Sequence, residues 1–257
     1  MLTFKHSGRM GDILYSLPWA LRAAHGEVFD YVLEYGVPAW DPSGRPHMME
    51  LEDAEFIRPL LQAQPYVREV GIVKRAITGA HPDWMVLDGF RGNMRSVIGR
   101  EIRTWYYPKH VPPFPGEFAS PVLSLPDPPL RRTGKLAVCF TSRYRQCFSV
   151  NPIRDYRDDL VFVGLPSERA MFERMYFPVE YHPVRDALDL LRFLASCRGF
   201  VGNVSGTFAI AECAKLPRIL CLAGDRGNVR PHGGIVYEAH SEPEFRLSLK
   251  NILEESK

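Results

Sequence analysis

The chain has 257 residues, 46% of them hydrophobic and 24% charged, with a formal net charge of +2. So even a balance supplies no global basic field that would draw it to nucleic acid or an acidic membrane surface, and partners must be argued locally. No apolar run approaches the roughly 20 residues that span a bilayer, and the opening residues lack a signal peptide's apolar core and cleavage site, so a soluble, cytoplasmic chain with no membrane span is expected.

The length suffices for two small domains. Five cysteines, Cys139, Cys147, Cys197, Cys213 and Cys221, form no C-x-x-C pair. Several lie in apolar runs, which points to buried free thiols rather than disulfides or a zinc site.

In the amino-terminal half, residues 2–5 read as a strand, and Ser7 to Asp12 as a glycine-bearing loop. Ile13, Leu14, Leu17, Ala20, Leu21 and Ala24 then recur at helical spacing, with Pro18 kinking that helix or beginning its regular part. Asp12 is placed to cap it. Strands are expected over 29–35, 67–73 and 84–87, the last ending at Asp88-Gly89, with an amphipathic helix over 52–64. Residues 35–49, rich in Pro, Gly and polar side chains, read as a long loop of the kind that is often functional. Arg91, Arg95, Arg100 and Arg103 mark a basic helix, either a phosphate-contacting face or a solvated surface.

The prolines of 108–129 suit neither a helix nor a central strand, and they separate two α/β patterns. Beyond them, strands are expected over 135–140, 160–163 and 179–182, a helix capped by Ser167 over 167–175, and a closing helix over 242–253. Asp186 to Gly224 is the most legible stretch. A helix through Ala187, Leu190, Leu191 and Leu194, stopped by Gly199, leads to a strand at Phe200-Val201, a small-residue turn from Gly202 to Gly206, a helix to Ala214 and a strand from Arg218. First-turn helix amides are unpaired and carry positive partial charge, so Ser205, Gly206 and Thr207 can cradle a diphosphate, with Glu212 placed to accept from a ribose diol. An ordinary strand-to-helix turn, with Glu212 on a solvated face, fits the same residues.

Three segments resemble one superfamily in order and approximate spacing. They are Gly11-Asp12 before an apolar helix and Pro18, Thr141-Ser142-Arg143-Tyr144-Arg145 after a strand, and Gly202 to Glu212 with the strand after Pro217. Together they resemble the heptosyltransferase-like (glycosyltransferase family 9-like) GT-B glycosyltransferases. The resemblance implies an α/β GT-B-like fold, two facing Rossmann-like domains with a cleft between them. It divides the chain into an acceptor-side domain over 1–118, a linker over 119–134 and a donor domain over 135–257.

The function implied is inverting, metal-independent transfer of a sugar from a nucleotide-diphosphate sugar to a hydroxyl acceptor. That acceptor would be a glycan, a lipopolysaccharide-type sugar or modified DNA, although the net charge does not favour nucleic acid. Asp12 would be the general base, and Gly11, Thr141, Ser142, Arg143, Arg145, Asn203, Ser205, Gly206, Thr207 and Glu212 the donor and phosphate contacts. No cofactor is implied beyond the nucleotide sugar as co-substrate, and no metal site, since no Asp-x-Asp motif is present. Val204 and Ala209 depart from the Asp and His usual in that group. They leave donor identity open and motivate the alternative of a non-catalytic nucleotide-sugar-binding or regulatory protein that retains the fold.

Overall fold

The computed structural model describes residues 2–38, 48–75, 83–91, 97, 99–127, 132–142, 148–222 and 228–255. The chain divides into two compact units: Met1–Glu117 with Asp186–Leu188, and Phe118–Arg185 with Asp189–Lys257.

In the first unit, β1 (Thr3–His6), α1 (Met10–Ala23), β2 (Phe29–Tyr35), α2 (Leu51–Gln62), β3 (Val67–Lys74) and β4 (Trp84–Val86) follow in sequence. The four strands form a parallel sheet in the order β3-β2-β1-β4. Phe4, Phe29, Tyr31 and Leu33 of the sheet are buried, as are Ile13, Leu14 and Leu17 of α1 and Ile57, Leu60 and Leu61 of α2. Helix α1 begins three residues before the apolar periodicity does and runs through Pro18. Its N-cap is Arg9, and Asp12 sits at the third helical position, where Oδ2 accepts from the Arg9 amide at 3.3 Å. Asp12 therefore belongs to the helix start without being the cap residue. The expected basic helix is also corrected. Arg91 lies in a short turn, and Arg103 is buried within a 3-10 segment, Ile102–Tyr106. Arg95 lies outside the described residues.

The second unit contains β5 (Leu136–Cys139), β6 (Leu160–Phe162), α3 (Pro166–Met175), β7 (Glu180–Tyr181), α4 (Ala187–Ser196), β8 (Gly199–Gly202), α5 (Gly206–Cys213), β9 (Arg218–Cys221), β10 (Val236–Ala239) and α6 (Glu242–Glu255). Six parallel strands run in the order β10-β9-β8-β5-β6-β7. Strands β5 and β8 are buried throughout, as both-faced burial of a parallel sheet requires. Helix α3 buries only Phe172, which meets Phe140 and Phe162 at ring-centroid distances of 6.0 and 5.6 Å. That one ring carries the docking of α3, and its removal would cost about 3–5 kcal/mol.

Three local readings change. The cap of α3 is Leu165 and not Ser167, with Pro166 in the first turn, where its missing N–H costs no hydrogen bond. Gly199 does not stop α4. It opens β8, and a Cβ there would fall 2.7 Å from Ile252 Cδ1 and 3.0 Å from the Pro217 carbonyl, so glycine is set by the close approach of α6 and of the chain before β9. Strand β10, half-exposed and preceded by Gly233 and Gly234, carries too weak a pattern to be anticipated. Cys139, Cys197, Cys213 and Cys221 are buried free thiols, and Cys147 lies outside the described residues. No helix among the described residues is long and apolar enough to cross a membrane.

Each sheet has one place where the winding reverses. In the first it falls between β1 and β4: β4 pairs one edge of β1, while β2 and then β3 extend from the other; in the second it falls between β5 and β8. Loops leaving the carboxyl ends of strands at such a reversal diverge to opposite faces and leave a crevice, the usual ligand position in open α/β sheets.

Candidate functional sites at the sheet reversals

At the first reversal, β1 ends in His6 and continues through Ser7, Gly8 and Arg9 into α1, while β4 continues into Leu87, Asp88 and Arg91. The two strand ends are tied by Asp88, whose Oδ2 accepts from the Ser7 amide at 3.2 Å and from the Ser7 hydroxyl. Arg91 then links Asp88 to Asp12: its Nη2 lies 2.7 Å from Asp12 Oδ2 and its Nε 3.4 Å from Asp88 Oδ2. The Tyr106 hydroxyl donates to the Asp12 carbonyl at 2.7 Å. Gly8 closes the cluster, because a Cβ there would fall 2.5 Å from His6 Cε1, 2.6 Å from Arg91 Nη2 and 2.9 Å from Asp12 Cβ.

Protonation follows from this packing. Burial pushes the His6 imidazole down to about 4, so it is neutral near pH 7. Its Nδ1 accepts from the Gly8 amide at 2.8 Å, which puts the ring proton on Nε2, a buried atom with no hydrogen-bond partner among the described residues. Burial opposes ionisation of Asp88, but His6, the Ser7 hydrogen bonds and Arg91 outweigh it and hold that carboxyl below its usual range. Burial likewise works against charge on Arg91, and Asp12 first, then Tyr106 and Asp88, reverse the balance and keep it protonated. Tyr106 holds its proton well above the ordinary phenol range because of burial and the nearby Asp12 charge. Two carboxylates, one guanidinium and a neutral imidazole thus share one corner, with His6 and Asp88 buried and Asp12 and Arg91 partly exposed.

Among the described residues, the contacts that tie the second reversal are uncharged. Asn203, fully buried after β8, forms a paired contact with the chain after β5. The Thr141 amide donates to Asn203 Oδ1 at 2.9 Å, and Asn203 Nδ2 donates to the Thr141 carbonyl at 2.8 Å. Gly202 permits the approach, since a Cβ there would stand 2.2 Å from the Cys139 carbonyl. Ser205 caps α5, with Oγ accepting from the Phe208 amide at 3.0 Å. Beneath the turn lies Cys139, whose thiol hydrogen-bonds Thr207 and Ser205 and is pushed up to about 12 by burial. The Thr141 hydroxyl is buried without a hydrogen-bond partner among the described residues. At the same edge Glu168, third residue of α3, accepts from the Leu165 amide at 3.0 Å.

The residues expected from sequence therefore separate into groups. Asp12 and Gly11 lie in the first turn of α1, in the first unit. Thr141, Ser142, Asn203, Ser205, Gly206 and Thr207 are brought together at the second reversal, Asn203 as a clamp between strands. Arg143 and Arg145 lie outside the described residues.

Glu212 is corrected. It is fully buried, with Oε1 held by Lys215 Nζ at 2.7 Å and the His232 amide at 3.0 Å, and Oε2 held by Arg218 Nε at 2.5 Å. Arg218, itself fully buried, also donates to the carbonyls of Leu216, His232 and Gly233. This carboxylate ties the 232–233 loop to α5 and β9 and does not face a ribose. Sequence reading passed over Ser7, Asp88 and Tyr106, and assigned Arg91 to another role. The available signal was an acid immediately beyond the last residue of a strand, the usual position for a functional side chain in this architecture.

No protein-family model and no curated protein matches the sequence. The structure is similar over nearly its full length to solved glycosyltransferases. A family 9 glycosyl transferase from Veillonella parvula aligns with a TM-score of 0.61 at 11% identity, covering 99% of this chain and 97% of that one. The E. coli heptosyltransferase WaaC solved with ADP aligns at 0.58 and 15%, covering 100% and 99%. The E. coli ADP-heptose lipopolysaccharide heptosyltransferase II aligns at 0.54 and 13%, covering 99% of each. At these identities the likeness shows the fold. The chain has the α/β fold of the heptosyltransferase-like GT-B proteins, as the three sequence segments implied.

Proposed function

We propose that this chain is a glycosyltransferase that moves a sugar from a nucleotide-diphosphate sugar to a hydroxyl acceptor, with inversion and without a metal. The observation that carries the reading is the carboxylate of Asp12, held at a sheet reversal at the start of a helix. The fold's likeness to solved glycosyltransferases supports it.

The second unit would hold the donor. First-turn amides of α5, at Gly206 and Thr207, have no helical acceptor of their own and would receive the diphosphate oxygens, with the Thr141 hydroxyl beside them. Arg143 and Arg145, assigned from sequence, would supply counter-charge as negative charge grows on the departing phosphate oxygen. Asp12 would take the proton of the acceptor hydroxyl. The acceptor oxygen then bonds to the anomeric carbon from the face opposite the phosphate, the carbon–oxygen bond to the diphosphate breaks, and the nucleoside diphosphate leaves with the electron pair.

A thermal-shift screen against UDP-, GDP-, ADP-, CMP- and dTDP-linked sugars tests this. A donor at about 100 times its dissociation constant stabilises by about 2.7 kcal/mol, a rise in Tm of roughly 5–10 °C for a chain of this size. One of the four diphosphate-linked donors is expected to give that rise; a shift with the CMP-linked sugar alone, which carries a single phosphate, or no shift with any of the five would overturn the donor assignment.

A further inference from the structure

We propose that Arg91 is the positioning residue of the first site: it fixes Asp12 through one carboxylate oxygen, Oδ2, and leaves Oδ1 to take the acceptor's proton. The inference rests on the reading of Asp12 as the base and adds to it which atom acts and what holds it.

Among the described residues, every contact to the Asp12 carboxylate falls on Oδ2, from Arg91 Nη2 at 2.7 Å and the Arg9 amide at 3.3 Å. A base that must meet a substrate hydroxyl needs one oxygen immobilised and the other unclaimed, and that is the division observed. Arg91 is itself immobilised from three sides. Its Nε lies 3.4 Å from Asp88 Oδ2, an ion pair without hydrogen-bond geometry, and Asp88 is held in turn by the Ser7 amide and hydroxyl; its guanidinium lies 5.5 Å from the centre of the Phe90 ring; and the bare backbone of Gly8 passes so close that a Cβ would collide with Nη2. Bridging two carboxylates from different elements takes a planar fork with several donors, which a lysine ammonium does not offer. Placement error at a reacting group is costly, since an ångström of misplacement can remove a hundredfold in rate.

Charge is the second duty. Near Asp12 are the Arg9 amide at the start of its helix, neutral His6 from β1, Arg91 from beyond β4, and Tyr106, which keeps its proton; Asp88 lies on the other side of Arg91. Arg91 stands between the carboxylates of Asp12 and Asp88, which would otherwise repel.

Turnover would be read as nucleoside diphosphate released, with the sugar passing to water or acceptor, from whichever of the UDP-, GDP-, ADP- or dTDP-linked sugars raises Tm. Arg91→Met should lower kcat at least about tenfold with donor KM within about twofold, and move the acidic limb of the pH–rate profile up by roughly one pH unit. Arg91→Lys should restore the limb and only part of kcat. Asp88→Asn should also lower kcat but move the limb down, because it removes the like charge and loosens the fork. A link that serves only the fold would move neither limb. Unchanged limbs in folded Arg91→Met and Asp88→Asn would overturn the inference, and where Arg91→Met does not fold, Arg91→Lys and Asp88→Asn decide it. Asp12→Asn separates the two levels. A hundredfold or greater loss of turnover, with unmoved limbs in the other variants, leaves the base and removes only its positioning residue; full turnover in Asp12→Asn removes both.

Discussion

The two sheets reverse in the same way and hold opposite chemistry at the point of reversal. Each ties its two diverging strand ends with one side chain that bonds the neighbouring chain: Asp88 to Ser7 in the first unit, Asn203 to Thr141 in the second. Each needs a glycine, Gly8 or Gly202, where a Cβ would stand under 3 Å from its neighbours. The first then adds charge, with two carboxylates around a guanidinium, whereas the second, among its described residues, adds a turn of small residues, a capped helix start and a buried thiol, with the Glu168 carboxylate at its edge. Topology places a site, and residue type decides what it can do. A cluster whose charges are held in place suits proton transfer, while a turn of small residues over a helix start suits an anion that brings its own charge.

The largest effect expected in the second unit comes from a residue outside that pattern. If Glu212 is a buried tie between α5, β9 and the 232–233 loop, Glu212→Gln leaves the fully buried Arg218 without its counter-charge and should cost about 3–5 kcal/mol, or roughly 6–20 °C in Tm. Protein that remains folded should still bind the nucleotide sugar with unchanged affinity. A nearly unchanged Tm with weakened donor binding would return Glu212 to the ribose and give the second reversal a charged member after all.

Glu212 also shows where sequence reading stops. Helix α5 is buried on every side, Thr207 to Cys213 without exception, so it has no solvated face on which a carboxylate could sit. A single Glu inside Phe-Ala-Ile-Ala-Glu-Cys, with Lys215 three residues on and Arg218 six, is the mark of a paired interior charge, and a family likeness obscured it. By contrast, α4, β8, α5 and β9 were legible almost to the residue, because 3.6-residue periodicity and short apolar runs are local signals. The Asp12–Arg91 pair spans 79 positions and Thr141–Asn203 spans 62. No local pattern encodes either separation; only the strand order does, and it was not readable from the chain. Arg91 shares its spacing with Arg95, Arg100 and Arg103, yet its neighbours come from the loop after β1, the first turn of α1 and the segment after β4.

Acid should distinguish the two reversals. His6 falls from its ordinary 6.5 to about 4 on folding, so between those values the unfolded chain binds a proton that the folded chain refuses. Its contribution to stability is complete above about pH 6.5 and is lost as pH falls towards 4, to about 3 kcal/mol at full development. Asp88, with its carboxyl held below 3.8, acts in a separate and lower window, where its contribution is present above that value and lost beneath it. At the second reversal the Cys139 thiol, pushed up to about 12 by burial, titrates at the alkaline end and adds nothing to an acid slope. Urea midpoints measured from pH 7 to pH 4 should therefore decline, and His6→Asn, which keeps an acceptor for the Gly8 amide, should flatten the decline. An equal slope in the variant would mean that His6 is not the group responsible.

The smallest effect bears on whether the second reversal is only a cradle. Ser205→Ala removes the acceptor of the Phe208 amide and should cost about 1 kcal/mol, or about 2–4 °C in Tm, the usual loss for a helix cap. In the free variant that amide has lost its side-chain partner. A bound diphosphate brings oxygens to the same helix start, so it can take over the amide and recover part of the loss. The donor-induced rise in Tm should then be larger in Ser205→Ala than in the unsubstituted chain, by up to the value of the cap. Were the variant instead to lose the donor-induced rise, the hydroxyl itself would be a donor contact. The second site would then read its ligand through side chains, as the first does, and the contrast between the two reversals would narrow to one of charge.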